Sequence, residues 1–232
     1  MTIERMHFNI KLQYNKLNTN HNQDLPPAYI DDVLNMVISD IVEIFYSGEN
    51  HYGTNLGYEV TQQMMDYLNV LTVQASFLNQ NIITLPTAYR HFINGTHTTV
   101  PCPECNVNIN VVRHNDLNLK MIDEHHKPSL KWKRSLGVFK GNTLTIYSEH
   151  PVQLVTLTYL KHPVKVFIGG YNSLEYISGD TTAYSSTTPK VDCDLPESVH
   201  NLVVSLAVTK LAEIMGDLQK AQIFENRFIK TQ

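Results

Sequence analysis

The sequence predicts an α+β protein in which N-terminal helices and a long C-terminal helix form a helical bundle around an inserted antiparallel β-rich domain. Two patterns predict it: apolar residues recur at helical spacing at both ends of the chain, whereas residues 72–168 alternate with period two and are rich in β-branched side chains. A third observation is size and composition. The chain has 232 residues, 42% hydrophobic and 17% charged, enough to bury a core and too apolar for disorder throughout.

The first segment carries two patterns. Met6, Phe8, Ile10, Leu12 and Tyr14 alternate like a strand, while Ile3, Met6, Ile10, Tyr14 and Leu17 fall on one helical face. The helical pattern is the longer, and Thr2 stands where an N-cap belongs, so helix is the preferred reading. A polar break at 18–24 ends at Leu25-Pro26-Pro27. Residues 28–46 then read as a helix, with a stripe of Ile30, Val33, Leu34, Val37, Ile38, Ile41, Ile44 and Phe45. Proline suits its first turn and Ser47-Gly48 its end. After a Gly- and Asn-rich linker at 49–57, a second helix runs from Tyr58 to about Val70, carried by Val60, Met64, Met65, Leu68 and Leu71.

Strands are expected at 72–78, 82–85, 96–100, 106–112, 143–147, 152–160 and 164–168. The polar stretch 114–140 is too long for a hairpin loop and reads as a functional or interface excursion. Gly169-Gly170 closes the β-rich region, and 178–189 reads as an exposed linker. The last helix begins with Asp194 and Glu197 as a capping box and Pro196 in the first turn. Val199, Val203, Ala207, Leu211, Ile214 and Leu218 line one face, and the pattern reaches towards Ile229. The expected organisation is therefore a helical part at 1–71, a β-rich insertion at 72–170, a linker at 171–193 and a C-terminal helix at 194–232 that returns to the first helices. No internal repeat of 20–50 residues is visible.

Lys plus Arg number 18 against 22 Asp plus Glu, a formal charge of -4, which argues against a dedicated nucleic-acid binder. Three cysteines cannot build a disulfide framework, and the chain opens without an apolar leader, so a reducing cytosol is expected. No apolar run approaches the roughly 20 residues of a membrane span.

The candidate chemistry is sparse. Cys102-Pro103-Glu104-Cys105 has the spacing of half a zinc site that His125, His126 and Cys193 would complete, but adjacent histidines do not have ligand spacing. A turn between two strands is the preferred reading, ahead of zinc and of a redox dithiol. Asp123-Glu124-His125-His126 reads as a solvated loop, since successive residues point apart and HExxH is absent. Asp192 and Asp194 share a face, yet Asp194 is taken by the cap. Asn94-Gly95-Thr96 reads as a turn. No GxSxG, GxGxxG or P-loop is present. The basic residues Lys120, Lys127, Lys131, Lys133, Arg134 and Lys140 surround Trp132. A phosphate-binding reading, with Trp132 as a stacking platform, stands beside a solvated loop in which Trp132 anchors a core or an interface.

The layout resembles the neck ring proteins, or head-to-tail adaptors, of tailed bacteriophages, and most closely those of crAss-like short-tailed phages. The resemblance is carried by Pro26-Pro27-Ala28-Tyr29-Ile30, Gly57-Tyr58-Glu59-Val60, Leu85-Pro86-Thr87-Ala88-Tyr89 and Thr143-Leu144-Thr145-Ile146-Tyr147. It continues through Val155-Thr156-Leu157-Thr158-Tyr159-Leu160-Lys161-His162-Pro163 and Asp194-Leu195-Pro196-Glu197. The resemblance implies a non-enzymatic virion protein without a cofactor, many copies of which, commonly twelve, form a ring beneath the portal. Its partners would be copies of itself, the portal or adjacent rings, other tail proteins, and genome DNA passing through the lumen without specific binding; no membrane is implied. Cys102-Pro103-Glu104-Cys105 and the long basic loop depart from the family's usual look.

Within such a ring, the expected contacts are the N-terminal segment around Phe8 and Ile10, the loop carrying Trp132, and the tail with Phe224 and Phe228, because aromatic residues anchor interfaces. Lys127, Lys131, Lys133 and Arg134 are the candidates for nucleic acid. The alternative is a small zinc- or nucleic-acid-binding module built on Cys102, Cys105 and the basic loop.

Overall fold

A computed structural model describes residues 1–16, 25–48, 58–169 and 189–215. The chain is mixed α+β and divides into two compact units. One comprises Met1–Val70 with Pro163–Gln232, the other Leu71–His162. Among the described residues no helix is long and apolar enough to cross a membrane.

The first unit holds α1 (Ile3–Lys16), α2 (Pro27–Ser47), α3 (Tyr58–Leu68) and α5 (Glu197–Ile214). The helical reading of the first segment is the observed one, because Ile3, Met6, Ile10 and Tyr14 form a single buried face. α2 starts at Pro27, whose missing N–H costs nothing in a first turn. It ends at Gly48, which takes the left-handed conformation (φ 67°) and donates its N–H to the Ile44 carbonyl. α2 packs against α1, α3 and α5, and α5 also packs on α1.

Two polar ties cross this unit. Asp31 is buried on α2; its Oδ1 accepts from His7 Nε2 at 2.7 Å and its Oδ2 from the Ile168 N–H at 3.1 Å. One turn later, the Asn35 amide donates to the Val166 carbonyl (3.1 Å) and accepts from the Val166 N–H (2.8 Å). These bonds explain why 164–168, expected as a strand, adds nothing to the sheet. Its backbone groups are satisfied by α2 side chains and by a single bridge between Phe167 and Val191.

The capping box expected at Asp194 and Glu197 is not formed. Pro196 occupies the N-cap position of α5, which has no side-chain cap. Glu197 instead pairs with the Met1 amino group at 2.9 Å, and Asp192 caps the other helix, its Oδ1 accepting from the Ile3 N–H at 2.7 Å. Val199, Val203, Ala207 and Leu211 are buried as the pattern requires, whereas Ile214 is exposed. Leu17, Leu218 and the tail with Phe224 and Phe228 lie outside the described residues.

The second unit is a seven-stranded sheet of order β1-β7-β3-β4-β5-β6-β2. Its strands are β1 (Thr72–Leu78), β2 (Ile82–Thr84), β3 (Tyr89–Thr99), β4 (Cys102–Val111), β5 (Arg134–Lys140), β6 (Thr143–Tyr147) and β7 (Val152–Lys161). The two edge strands, β1 and β2, are joined by only residues 79–81, so the sheet curls until its edges approach. All seven strands then face one core: Ile83, Ile109, Leu144, Ile146, Val155 and Leu157, with Phe77, Tyr89, Phe92 and Phe139 against it. This is a near-barrel.

Three expectations are corrected here. The sheet is not wholly antiparallel, since β4 and β5 pair in parallel, Asn108 opposite Arg134 through Val111 opposite Gly137. A parallel pair requires a crossover, and the stretch read as a polar excursion supplies it as α4 (His114–Ile122) and a folded loop before β5. Asn94-Gly95-Thr96 is not a turn but the middle of β3. A Cβ on Gly95 would stand 3.1 Å from Leu157 Cδ2 and 3.2 Å from Ile109 Cδ1, so the glycine lets the core close over the strand.

Candidate interaction surface

Strand directions within the β-unit place several connections at one end of the near-barrel: residues 79–81 between β1 and β2, 100–101 between β3 and β4, and 148–151 between β6 and β7. The chain enters β1 and leaves β7 at the opposite end. Because β5 runs parallel to β4, the crossover must return to the first end before β5 begins. It does so as a tight hairpin tip. Ser129 and Arg134 exchange backbone hydrogen bonds at 2.8 and 3.0 Å, and the Lys133 N–H closes the turn on the Leu130 carbonyl at 3.1 Å. The Leu130 N–H donates to Glu149 Oε2 at 2.8 Å, which fastens the tip to the β6–β7 connection.

The tip is a built feature. Lys133 holds a left-handed backbone (φ 47°), a conformation that a side chain disfavours by roughly 1 kcal/mol and that persists only where neighbours enforce it. The Asn108 N–H, bonded to the Lys133 carbonyl at 3.0 Å, is one such neighbour. Arg134 is half-buried and its Nη1 donates to the His125 carbonyl at 2.5 Å, tying the preceding turn to β5. In that turn Asp123 accepts from the His125 N–H (2.9 Å) and from His126 Nδ1 (2.5 Å). These bonds, the backbone one foremost, hold its carboxyl below the ordinary range. The four residues from Asp123 to His126 are thus an exposed turn, as their sequence suggests.

What the tip presents is Trp132, 67% exposed, with Lys131 Nζ 5.4 Å from its ring centroid. Lys127, Lys131 and Lys133 are exposed, and none pairs with a carboxylate. Trp132 therefore belongs to no core of the chain itself, which removes one of its two structural readings. Leu78, Ile82 and Val100 are exposed at the same end. On the crossover, α4 buries no residue fully; Leu117 alone leans on Leu136 and Val138 of β5, leaving Leu119 and Ile122 in solvent.

The remaining candidates are dispersed. Ile10 is fully buried on the inner face of α1, so it serves the core; its neighbour Phe8 is exposed, with the Arg5 guanidinium 5.4 Å above its ring. Cys102 and Cys105 lie in β4 after the actual turn at 100–101, and they are disulfide-bonded to each other, Cα to Cα 5.3 Å. The bridge spans an irregularity: Thr99 faces Cys102, but His97 faces Val107, so residues 103–106 bulge opposite Thr98 alone. The bonded sulfurs are engaged with each other rather than open to a metal. Cys193 is half-buried in the other unit, where burial pushes its thiol pKa up. Among the described residues no three His, Cys, Asp or Glu side chains stand together as a metal site.

Two features escaped the sequence reading. Below the loop end, His97 Nε2, Thr99 Oγ1 and Gln153 Oε1 are buried without hydrogen-bond partners, and burial pushes the His97 imidazole below its ordinary value. The other is the charge division. The β-unit carries nine Lys and Arg against five Asp and Glu, a formal +4, whereas the rest of the chain carries nine against seventeen, a formal -8. Net charge alone hides this, but a count by segment reveals it. No protein-family model and no curated protein matches the chain.

Proposed function

We propose that the chain is a non-enzymatic structural protein of a tailed-phage virion, many copies of which form a ring in the neck beneath the portal. The helices α1, α2, α3 and α5 form the helical bundle of the ring body, and the β-unit is the insertion that reaches a neighbouring component. Partners are copies of the chain in a ring, twelve in the family it resembles, the portal protein or adjacent rings, other tail proteins, and genome DNA that passes through the lumen without specific binding. The protein is made in the host bacterial cytoplasm and resides in the virion.

Beside the resemblance in layout, the observation that carries this reading is Trp132. It is the sole tryptophan, held two-thirds exposed on a fastened, strained tip and flanked by unpaired cations. An aromatic so displayed serves contact with another macromolecule, because a solitary chain gains nothing from it. The acidic balance of the remainder suits a DNA conduit, whose walls must not grip phosphate. Mass measured by light scattering over a concentration series, with and without the portal protein of the same virion, tests the proposal. A multimer, alone or on the portal, is expected. A monomer indifferent to the portal, combined with bound zinc or a DNA gel shift at physiological salt, would replace it with the metal- or nucleic-acid-module reading.

A further inference from the structure

The outward face of α2 has the complementary composition to the Trp132 tip. Tyr29, Asp32, Met36 and Asp40 follow one another at helical spacing and are all exposed, and α2 contains no Lys or Arg. Asp32 and Asp40 bracket Met36 by four residues on either side and take part in no ion pair; at 1.5 Å per residue they are about 12 Å apart. The tip presents the inverse arrangement, an aromatic ring between Lys131 and Lys133 on a turn that fixes all three.

Resting on the ring reading, we propose that the tip of one copy docks on the outer stripe of α2 in the next. Trp132 lies over Met36, and Lys131 and Lys133 face Asp32 and Asp40. Three points support a second copy as the occupant. The charge division gives the β-unit a formal +4 and the rest of the chain -8, so unlike units of two copies attract and like units repel. Both surfaces are mixed, apolar at the centre and charged at the rim, as interfaces are; thioether sulfur against an aromatic ring is a favourable central pair. Finally, the two surfaces differ, so the contact is heterologous, the kind that propagates from copy to copy and closes into a ring when the rotation allows. Nucleic acid would satisfy the lysines but leaves the acidic stripe unexplained.

The full-length chain supplies its own reporter, because Trp132 is its sole tryptophan. Light-scattering mass and tryptophan emission are recorded together across a concentration series. Mass should rise and emission shift to the blue in step, as solvent leaves the indole. Lys131→Glu/Lys133→Glu and Asp32→Lys/Asp40→Lys should each weaken association roughly tenfold or more, since attraction becomes repulsion, and the two variants mixed should associate with each other, one kind alternating with the other, although neither associates with itself. Combining all four reversals in one chain should restore assembly. Unchanged melting temperatures verify that these exposed substitutions leave the fold intact, and Trp132→Ala supplies an independent loss of the central contact. Mass that rises while emission stays fixed, or reversed variants that assemble like the parent, overturn this contact and leave the ring reading standing. A chain that remains monomeric at every concentration, both alone and with the portal protein, overturns both.

Discussion

The helical unit and the β-unit are held together by different means. In the helical unit, segments far apart in sequence are tied by polar side chains: Asp31 and Asn35 of α2 reach backbone groups at 166–168, and Asp192 caps α1. In the β-unit the seven strands share one apolar interior, and polar chemistry is confined to an end. The contrast teaches that both units bury apolar faces, but the helical unit adds polar ties between distant segments, whereas the near-barrel rests on the volume of one interior. Each should therefore break by its own route.

The largest effect is expected from Asp31→Ala. It leaves His7 Nε2 buried without its partner and the half-buried Ile168 N–H without its acceptor, a loss of about 3 kcal/mol, visible as a lower transition in a far-UV melt that follows the helical signal. Asp31→Asn, which keeps an acceptor, should recover part of it. Next comes Gly137→Ala in β5. A methyl there would stand 2.7 Å from Ile109 Cγ2 and 3.3 Å from Leu144 Cδ1, so the barrel interior must shift at a cost of roughly 1–3 kcal/mol, measured by denaturant unfolding. If both substitutions prove neutral, the contrast between the units is mistaken.

A smaller effect concerns pH. Burial holds the imidazoles of His97 and His200 below the ordinary 6.5, so they stay neutral in the fold while the unfolded chain takes up protons. The unfolded state then binds more protons, and their contribution to stability is full above 6.5 and lost as pH falls below it. Replacing the β-unit's histidine, His97→Leu, should flatten the acid side of a melting-temperature profile. The smallest effect on stability is expected for Trp132→Ala, within about 0.5 kcal/mol, together with clear loss of self-association. Equal loss of both would return Trp132 to a structural role.

The sequence was most legible where one periodicity held without interruption. α1, α2 and α5 show their buried faces as stripes, and β1, β6 and β7 fall where alternation puts them. β5 was hidden because one of its inward positions is Gly137, while its outward Leu136 and Val138 are buried with Val112, Leu117 and Tyr147, which reverses the usual alternation. Residues 164–168 look like a strand because they are one in composition, but their hydrogen-bond partners include side chains of a helix 131 to 137 residues earlier, which no local pattern encodes. The interaction surface was half visible: the cluster of lysines around Trp132 is written in the sequence, whereas the turn that displays it depends on Glu149 and Asn108, contributed by other strands and connections. The acidic stripe of α2 is hidden in the sequence because the helix's apolar positions dominate its periodicity.

The central claim is that unlike surfaces of identical chains meet and close. Negative-stain electron microscopy of the full-length chain, at concentrations where its mass exceeds that of a monomer, tests this most directly. Class averages with rotational symmetry and a central opening are the predicted result. Isolated monomers, two-fold dimers or open filaments would contradict it.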